Sequence, residues 1–324
     1  MIGDNLYCML IKILDSASLG ADTPLEILNE IATVTVYEQS NADEAKARVA
    51  DADVIILNKV KITKEVIDAA ASLKLICVFA TGYDNIDVEY ARKKGIAVCN
   101  VPGYSTDSVA LFTIATVLNL YTHIEQYRNF VSCGEYEKVG LPNRLIPVYR
   151  ELKNKKWGIV GYGNIGKAVA RIAEAFGCEI LAFKRTPVDG VRCVDIDTLC
   201  RESDIITLHC PLNDGTRGII NEERLRLMKK DVVLVNEARG AVIDEEAVAN
   251  ALLEGRIGAF GSDVYSKEPF DKAHPFTKIM MLDNCYLTPH AAWGSYESRV
   301  RCISIILENI KAYFNGEIKN RVDI

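Results

Sequence analysis

The sequence predicts an α/β protein built as two doubly wound parallel-sheet domains. Three observations carry that expectation. The chain has 324 residues, more than a single core usually supports. It contains two separate series in which short apolar strands alternate with helical stretches. A glycine-rich turn, residues 161–166, opens the second series. Hydrophobic residues make up 49% and charged residues 25%, the composition of a folded globular chain.

In the first series, residues 10–14, 33–37, 54–57 and 74–79 read as strands. Residues 25–31, 43–50 and 64–71 lie between them with apolar residues at helical spacing. Residues 107–131 then read as one long helix, with Ser105 or Thr106 available as N-cap. Its apolar residues run most of the way round, which suits a domain junction or a subunit interface. Residues 153–156 read as a basic, solvated turn. The second series places strands at 157–160, 179–183, 204–209, 232–235, 258–264 and 285–287, with helices between them, notably 165–176 and 245–253. The last helix, 296–314, is long enough to return to the first domain.

Several function classes are disfavoured. A net charge of −6 does not suit a nucleic-acid partner. No apolar run approaches the roughly 20 residues of a membrane span, and no basic segment followed by an apolar run marks a secretory signal. The ten cysteines form no C-x-x-C pair and mostly lie in apolar stretches. They read as buried small hydrophobes in a reducing cytoplasm, and no clustering suggests a metal.

Gly161-Tyr162-Gly163-Asn164-Ile165-Gly166 matches G-x-G-x-x-G, follows a strand and opens a helix. That context is what a dinucleotide site requires, in a Rossmann-type domain. Gly161 permits the tight turn, Gly163 lets the backbone approach a pyrophosphate, and Gly166 lets the helix pack on the sheet. The helix N-terminus, from Asn164 and Ile165, offers N–H groups and a positive dipole end to the phosphates. The next strand ends in Lys184-Arg185-Thr186 where an acidic residue would bind an adenosine ribose. Two cations and a hydroxyl suit a 2′-phosphate instead, and so the expected cofactor is NAD(P)(H), leaning to NADP. A solvated basic turn is the bland alternative.

In an open α/β sheet, ligands bind beyond the carboxyl ends of the strands. Three ionisable residues follow strands of the second series: Arg239, Glu268 and His290. Their chemistry suits a 2-oxo acid. Arginine's planar fork matches a carboxylate and its neighbouring carbonyl. An imidazolium can protonate the oxygen that gains charge as hydride reaches C2. A carboxylate beside an imidazole favours the protonated ring and fixes its tautomer. Of the other histidines, His123 falls in the long helix, His209 at a strand end near the glycine motif, and His274 in a loop.

These residues, with further stretches, resemble the D-isomer-specific 2-hydroxyacid dehydrogenases, and within them the glycerate dehydrogenases, or hydroxypyruvate reductases. The matching segments are 80–87, 100–105, the glycine motif, His209-Cys210-Pro211-Leu212, Asn236-Glu237-Ala238-Arg239-Gly240, 263–269 and 288–293. The resemblance runs from about Met9 to Phe314, and residues 1–8 precede the family's usual start. It implies a Rossmann-type nucleotide domain over 105–288. A smaller, flavodoxin-like substrate domain would form from 1–104 and 289–324. It implies that Arg239 binds substrate, that Glu268 pairs with His290 as proton donor and acceptor, and that Asp263 holds the nicotinamide carboxamide. Backbone around Thr81 and Gly82 would bind the substrate carboxylate. Cys210, Pro211, Ala238 and His290 would line the cofactor. Substrate would sit in a cleft whose closure excludes water. Trp293 suits the glycerate branch, and no appended regulatory domain is expected. Two departures stand out. Glu237 occupies a position usually small or hydroxylated, and Lys184 replaces an acidic residue common in NAD-using members.

The expected activity is hydride transfer between a nicotinamide cofactor and a small 2-oxo or 2-hydroxy acid, hydroxypyruvate/D-glycerate or glyoxylate/glycolate. A homodimer is expected. The alternative is a dinucleotide-sensing corepressor, a binding protein that would not need arginine, acid and histidine together.

Overall fold

A computed structural model describes residues 9–324. The expectation that Cys8 is a buried thiol falls outside that range. The chain divides into two compact units, one from Met1–Ser105 with Gly294–Ile324, the other from Thr106–Trp293.

The first unit begins with β1 (Leu10–Ile13), β2 (Thr33–Val36), α1 (Ala42–Val49), β3 (Val54–Leu57), α2 (Lys64–Ala69), β4 (Leu75–Val78), α3 (Val88–Lys93) and β5 (Ala97–Cys99). Its strands form one parallel sheet in the order β2-β1-β3-β4-β5, a flavodoxin-like winding. β3 and β4 are wholly apolar and wholly buried, as strands covered on both faces should be. The expected helix over 25–31 is instead a 3-10 turn at Leu25–Glu30 behind Pro24. α1 starts at a capping box, Asn41 with Glu44.

The second unit opens with α4 (Thr106–Thr122), α5 (Ile124–Ser132) and α6 (Glu135–Val139). The single helix expected over 107–131 is therefore broken. His123 adopts φ +55, a left-handed conformation that stops α4 and turns the chain into α5. α4 is buried along Val109, Ala110, Ile114, Val117 and Leu120, whereas α5 buries nothing. The remaining elements are β6 (Lys156–Val160), α7 (Asn164–Ala175), β7 (Glu179–Phe183), β8 (Arg192–Cys193), α8 (Ile196–Glu202), β9 (Ile205–Leu208), α9 (Glu222–Leu227), β10 (Val233–Asn236), α10 (Glu245–Leu253), β11 (Ala259–Ser262) and β12 (Cys285–Leu287). Lys156 belongs to β6 rather than to a solvated turn, and its Nζ pairs with Glu202 at 2.7 Å. The seven strands are parallel in the order β12-β11-β10-β9-β6-β7-β8. Counted from β6, this is a Rossmann winding with one further strand, and the order reverses between β6 and β9. Among the described residues, no helix is long and apolar enough to cross a membrane.

The second boundary between units falls after Trp293, five residues beyond the expected 288. Hydrogen bonds from Ala291 N and Ala292 N to Asp263 keep that loop with the nucleotide unit. Beyond it, α11 (Tyr296–Phe314) belongs to the first unit and packs on β4 through its buried side. The Asn309 amide donates to the Asn100 carbonyl at 3.0 Å, and Val98 N–H donates to Asp323 at 2.9 Å. Both chain ends thus complete one sheet.

Candidate active site

The site residues of the second unit sit on the loops that leave the carboxyl ends of its parallel strands. Gly161 has φ +97, and a Cβ there would meet Cys210 N at 2.5 Å. Only glycine fits both conditions. A Cβ on Gly166 would overlap the Gly161 carbonyl, so that residue brings α7 against the turn. Above Gly163 the space is open. Asn164 and Ile165 form the first turn of α7, leaving its N–H groups toward that opening. The residues present therefore fit a dinucleotide: a free helix N-terminus, an open approach and a turn that tolerates no side chain at Gly161. Lys184 is half-buried and Arg185 and Thr186 are exposed just beyond β7. Neither Lys184 nor Arg185 forms an ion pair among the described residues. Glu179 lies at the opposite end of β7.

β10 ends at Asn236, whose side chain ties the next loop. It accepts from Ala238 N at 3.1 Å and donates to the Arg239 carbonyl at 3.0 Å. Arg239 is half-buried and its Nη1 donates to the Ala238 carbonyl at 2.9 Å. The residue after it must be glycine for a packing reason. A Cβ on Gly240 would coincide with the backbone at Tyr265 and Ser266. That contact binds the arginine loop to the loop carrying Glu268.

Glu268 accepts from Tyr265 N at 3.0 Å through Oε1 and meets His290 Nδ1 at 2.6 Å through Oε2. With Nδ1 as the donor, Nε2 is left for proton exchange. Both side chains are partly exposed, 24% for His290 and 30% for Glu268, so the pair is open to a ligand. His290 has φ +55, and its loop is held in that conformation chiefly by Asp263. This buried carboxylate accepts from Thr288 Oγ1 at 2.7 Å, Ala291 N at 2.8 Å and Ala292 N at 2.9 Å. Tyr265 adds a bond from its hydroxyl to the Thr288 carbonyl at 2.7 Å. The clamp formed by Asp263 and Tyr265 is absent from a sequence reading, because each bond joins residues more than 20 positions apart. Its one sequence signal is an Asp at a strand end.

Cys210 is buried, and burial pushes its thiol up to about 11. Pro211 is exposed beside it and Ala238 is buried. His209 has buried ring nitrogens without partners among the described residues, and burial drives its pKa down to about 3. His274 caps a 3-10 turn and meets Glu245 at 3.1 Å. Among the described residues, no group of three or more His, Cys, Asp or Glu could hold a metal. In the first unit, Thr81 and Gly82 follow β4. The Thr81 hydroxyl donates to the Val101 carbonyl at 2.8 Å, and its carbonyl accepts from Asn100 at 2.7 Å.

Residues 114–292 match the model of the D-isomer specific 2-hydroxyacid dehydrogenase, NAD binding domain. The chain belongs to that family. A hydroxypyruvate reductase of Blautia hydrogenotrophica is 35% identical over 97% of this chain and the whole of that one. Two solved structures are also similar. An acyclic imino acid reductase in complex with NADPH and D-Arg is 34% identical, covers 97% of this chain and 100% of its own, and has a TM-score of 0.87. An NADPH-dependent glyoxylate/hydroxypyruvate reductase from Sinorhizobium meliloti, in complex with NADP and malonate, is 28% identical. It covers 97% of this chain and 96% of its own, with a TM-score of 0.84. This dehydrogenase is thus an NAD(P)-dependent oxidoreductase of small 2-oxo and 2-hydroxy acids.

Proposed function

We propose that the enzyme reduces hydroxypyruvate to D-glycerate or glyoxylate to glycolate, with NADPH preferred. The observation that carries the reading is the His290–Glu268 pair on the same sheet edge as the Arg239 loop and the glycine turn. The bound cofactor would supply hydride to C2 of the oxo acid. Gly161, Gly163, Asn164, Ile165 and Gly166 would hold its pyrophosphate, with Cys210, Pro211 and Ala238 along its length. Arg239 would bind the carboxylate and carbonyl of the substrate through its fork. His290 would deliver the proton from Nε2 to the C2 oxygen, while Glu268 holds the ring through Nδ1. Asp263 would keep the histidine loop in place and use its remaining lone pair on the carboxamide. Lys184, Arg185 and Thr186 would meet the 2′-phosphate.

The names of the relatives support the substrate class, since they include hydroxypyruvate and glyoxylate reductases. The deciding experiment compares kcat/KM for a panel of 2-oxo acids, with NADPH and with NADH at fixed ionic strength. An ammonium arm tests imino acids, the substrate class of one structural neighbour. Hydroxypyruvate or glyoxylate should rank first. A larger 2-oxo acid or an imino acid ranking first would overturn the substrate assignment.

We also infer a homodimer. α5 buries none of its side chains, and Leu141, Leu145, Ile146 and Val148 follow it at 59–74% exposure. An apolar surface of that kind marks an interaction site. The described thiols are free and mostly buried, Cys133 being exposed and Cys193 half-buried, which suits a reducing cytoplasm.

A further inference from the structure

Glu237 is the first residue after β10. Its N–H donates to the Leu208 carbonyl at 3.3 Å, which seats it between the ends of β9 and β10. The residue is only 8% exposed, and both carboxyl oxygens are buried without a hydrogen-bond partner among the described residues. Burial, and after it the Asp263 carboxylate, push its carboxyl well above the usual range. The charged group that acts on it is Asp263, beyond β11. Arg239, two positions along the same loop, turns its Nη1 to the Ala238 carbonyl, and neither carboxyl oxygen of Glu237 takes a hydrogen bond from a described residue.

An unpaired carboxyl in such a place is expensive to keep, and more so when ionised. Packing alone gives no reason for an acid there, since a neutral side chain would fill the place without that cost. A charge that is tolerable only with a partner points to a partner that arrives with a ligand. The sheet order decides which ligand. The winding reverses between β6 and β9, with β7 and its basic end on one side and β9, β10 and β11 on the other. A dinucleotide laid across that point puts its adenosine toward β7 and its nicotinamide toward β10. The nicotinamide ring is the one part of the cofactor whose charge changes in the reaction, cationic when oxidised and neutral when reduced.

We propose that Glu237 is a redox-sensing residue of the nicotinamide site, protonated beneath NADPH and ionised beneath NADP⁺. The inference rests on the cofactor reading above. Binding of NADP⁺ then releases the Glu237 proton to solvent, and binding of NADPH does not. The sign follows from linkage. NADP⁺ binds the ionised form better, so its affinity tightens as pH rises toward the raised value and levels off above it. NADPH affinity lacks that dependence. Phosphate and adenine ionisations are common to both forms and cancel in the ratio of their dissociation constants.

The test is calorimetric titration of the full-length protein with each cofactor form, across pH and in two buffers of different ionisation enthalpy. Wild type should release a proton with NADP⁺ only. Glu237→Gln, which keeps shape and removes the charge, should abolish that release. It should also weaken NADP⁺ about tenfold at the high end of the pH range and leave NADPH within about twofold. Glu237→Asp should retain part of the release. Equal NADP⁺/NADPH ratios in wild type and Glu237→Gln, with no difference in proton release, would overturn the inference and leave the cofactor site standing. Binding of neither form by wild type would overturn both.

Discussion

His290 is held in a left-handed conformation that a non-glycine residue adopts at some energetic cost. Three hydrogen bonds to Asp263 and one to Glu268 are what keep it there. The imidazole is therefore positioned from two sides: the ring by Glu268, the backbone around it by Asp263. Separate substitutions should separate these roles. Glu268→Gln should lower kcat and alter the pH–rate profile, because the amide cannot support the charged ring as the carboxylate does. An unchanged profile would remove Glu268 from proton transfer. Arg239→Lys keeps the charge but loses the fork, so KM should rise as kcat falls. If KM alone rose, arginine would be contributing uniform binding rather than transition-state stabilisation. At the nucleotide end, Lys184→Asp should cut kcat/KM for NADPH by roughly 10-fold or more, since hydrogen bonds to charged groups contribute about 1.5–3 kcal/mol. Wild type favouring NADH would reduce the Lys184–Arg185 pair to a solvated turn.

The loops leaving β10, β11 and β12 work as one assembly. Asn236 shapes the arginine loop, Gly240 presses it on Tyr265, and the Tyr265 hydroxyl reaches the Thr288 carbonyl before the histidine. Gly240→Ala should push the loops apart and destabilise the protein by roughly 1–3 kcal/mol. Thermal unfolding and kcat measured together check this, and normal values of both would show that the loops are independent. How much of this was legible in sequence depends on range. The strands at 54–57, 179–183 and 285–287 appear where the apolar runs place them, most fully at β3, because a strand buried on both faces writes itself as a continuous apolar run. β5 and β8 went unseen, and the two residues of β8, one of them Arg192, carry no pattern. The break at His123 also went unseen, because apolar spacing continues through it and only the backbone turns. The glycine turn and the three ionisable residues were legible because strand ends announce them. The Asp263 clamp and the orphaned Glu237 carboxyl were not, because both are properties of loops meeting in space.

At the scale of the whole molecule, two parallel sheets of different winding share one chain, and the last helix completes the first of them. The apolar surface of residues 124–149 should be covered by a second copy. Light scattering at micromolar concentration should give a dimer, and Leu145→Asp with Val148→Asp should give a folded monomer. A wild-type monomer would contradict the inferred assembly. The central claim is that this sheet edge carries a D-specific 2-oxo acid reductase whose proton passes through His290. It is tested most directly by mixing the purified enzyme with NADPH and hydroxypyruvate, following loss of the reduced cofactor, and resolving the enantiomers of the product. Wild type should form D-glycerate, and His290→Ala should retain cofactor binding while losing about 100-fold or more in kcat. An L product, or turnover by His290→Ala near the wild-type rate, would contradict the account.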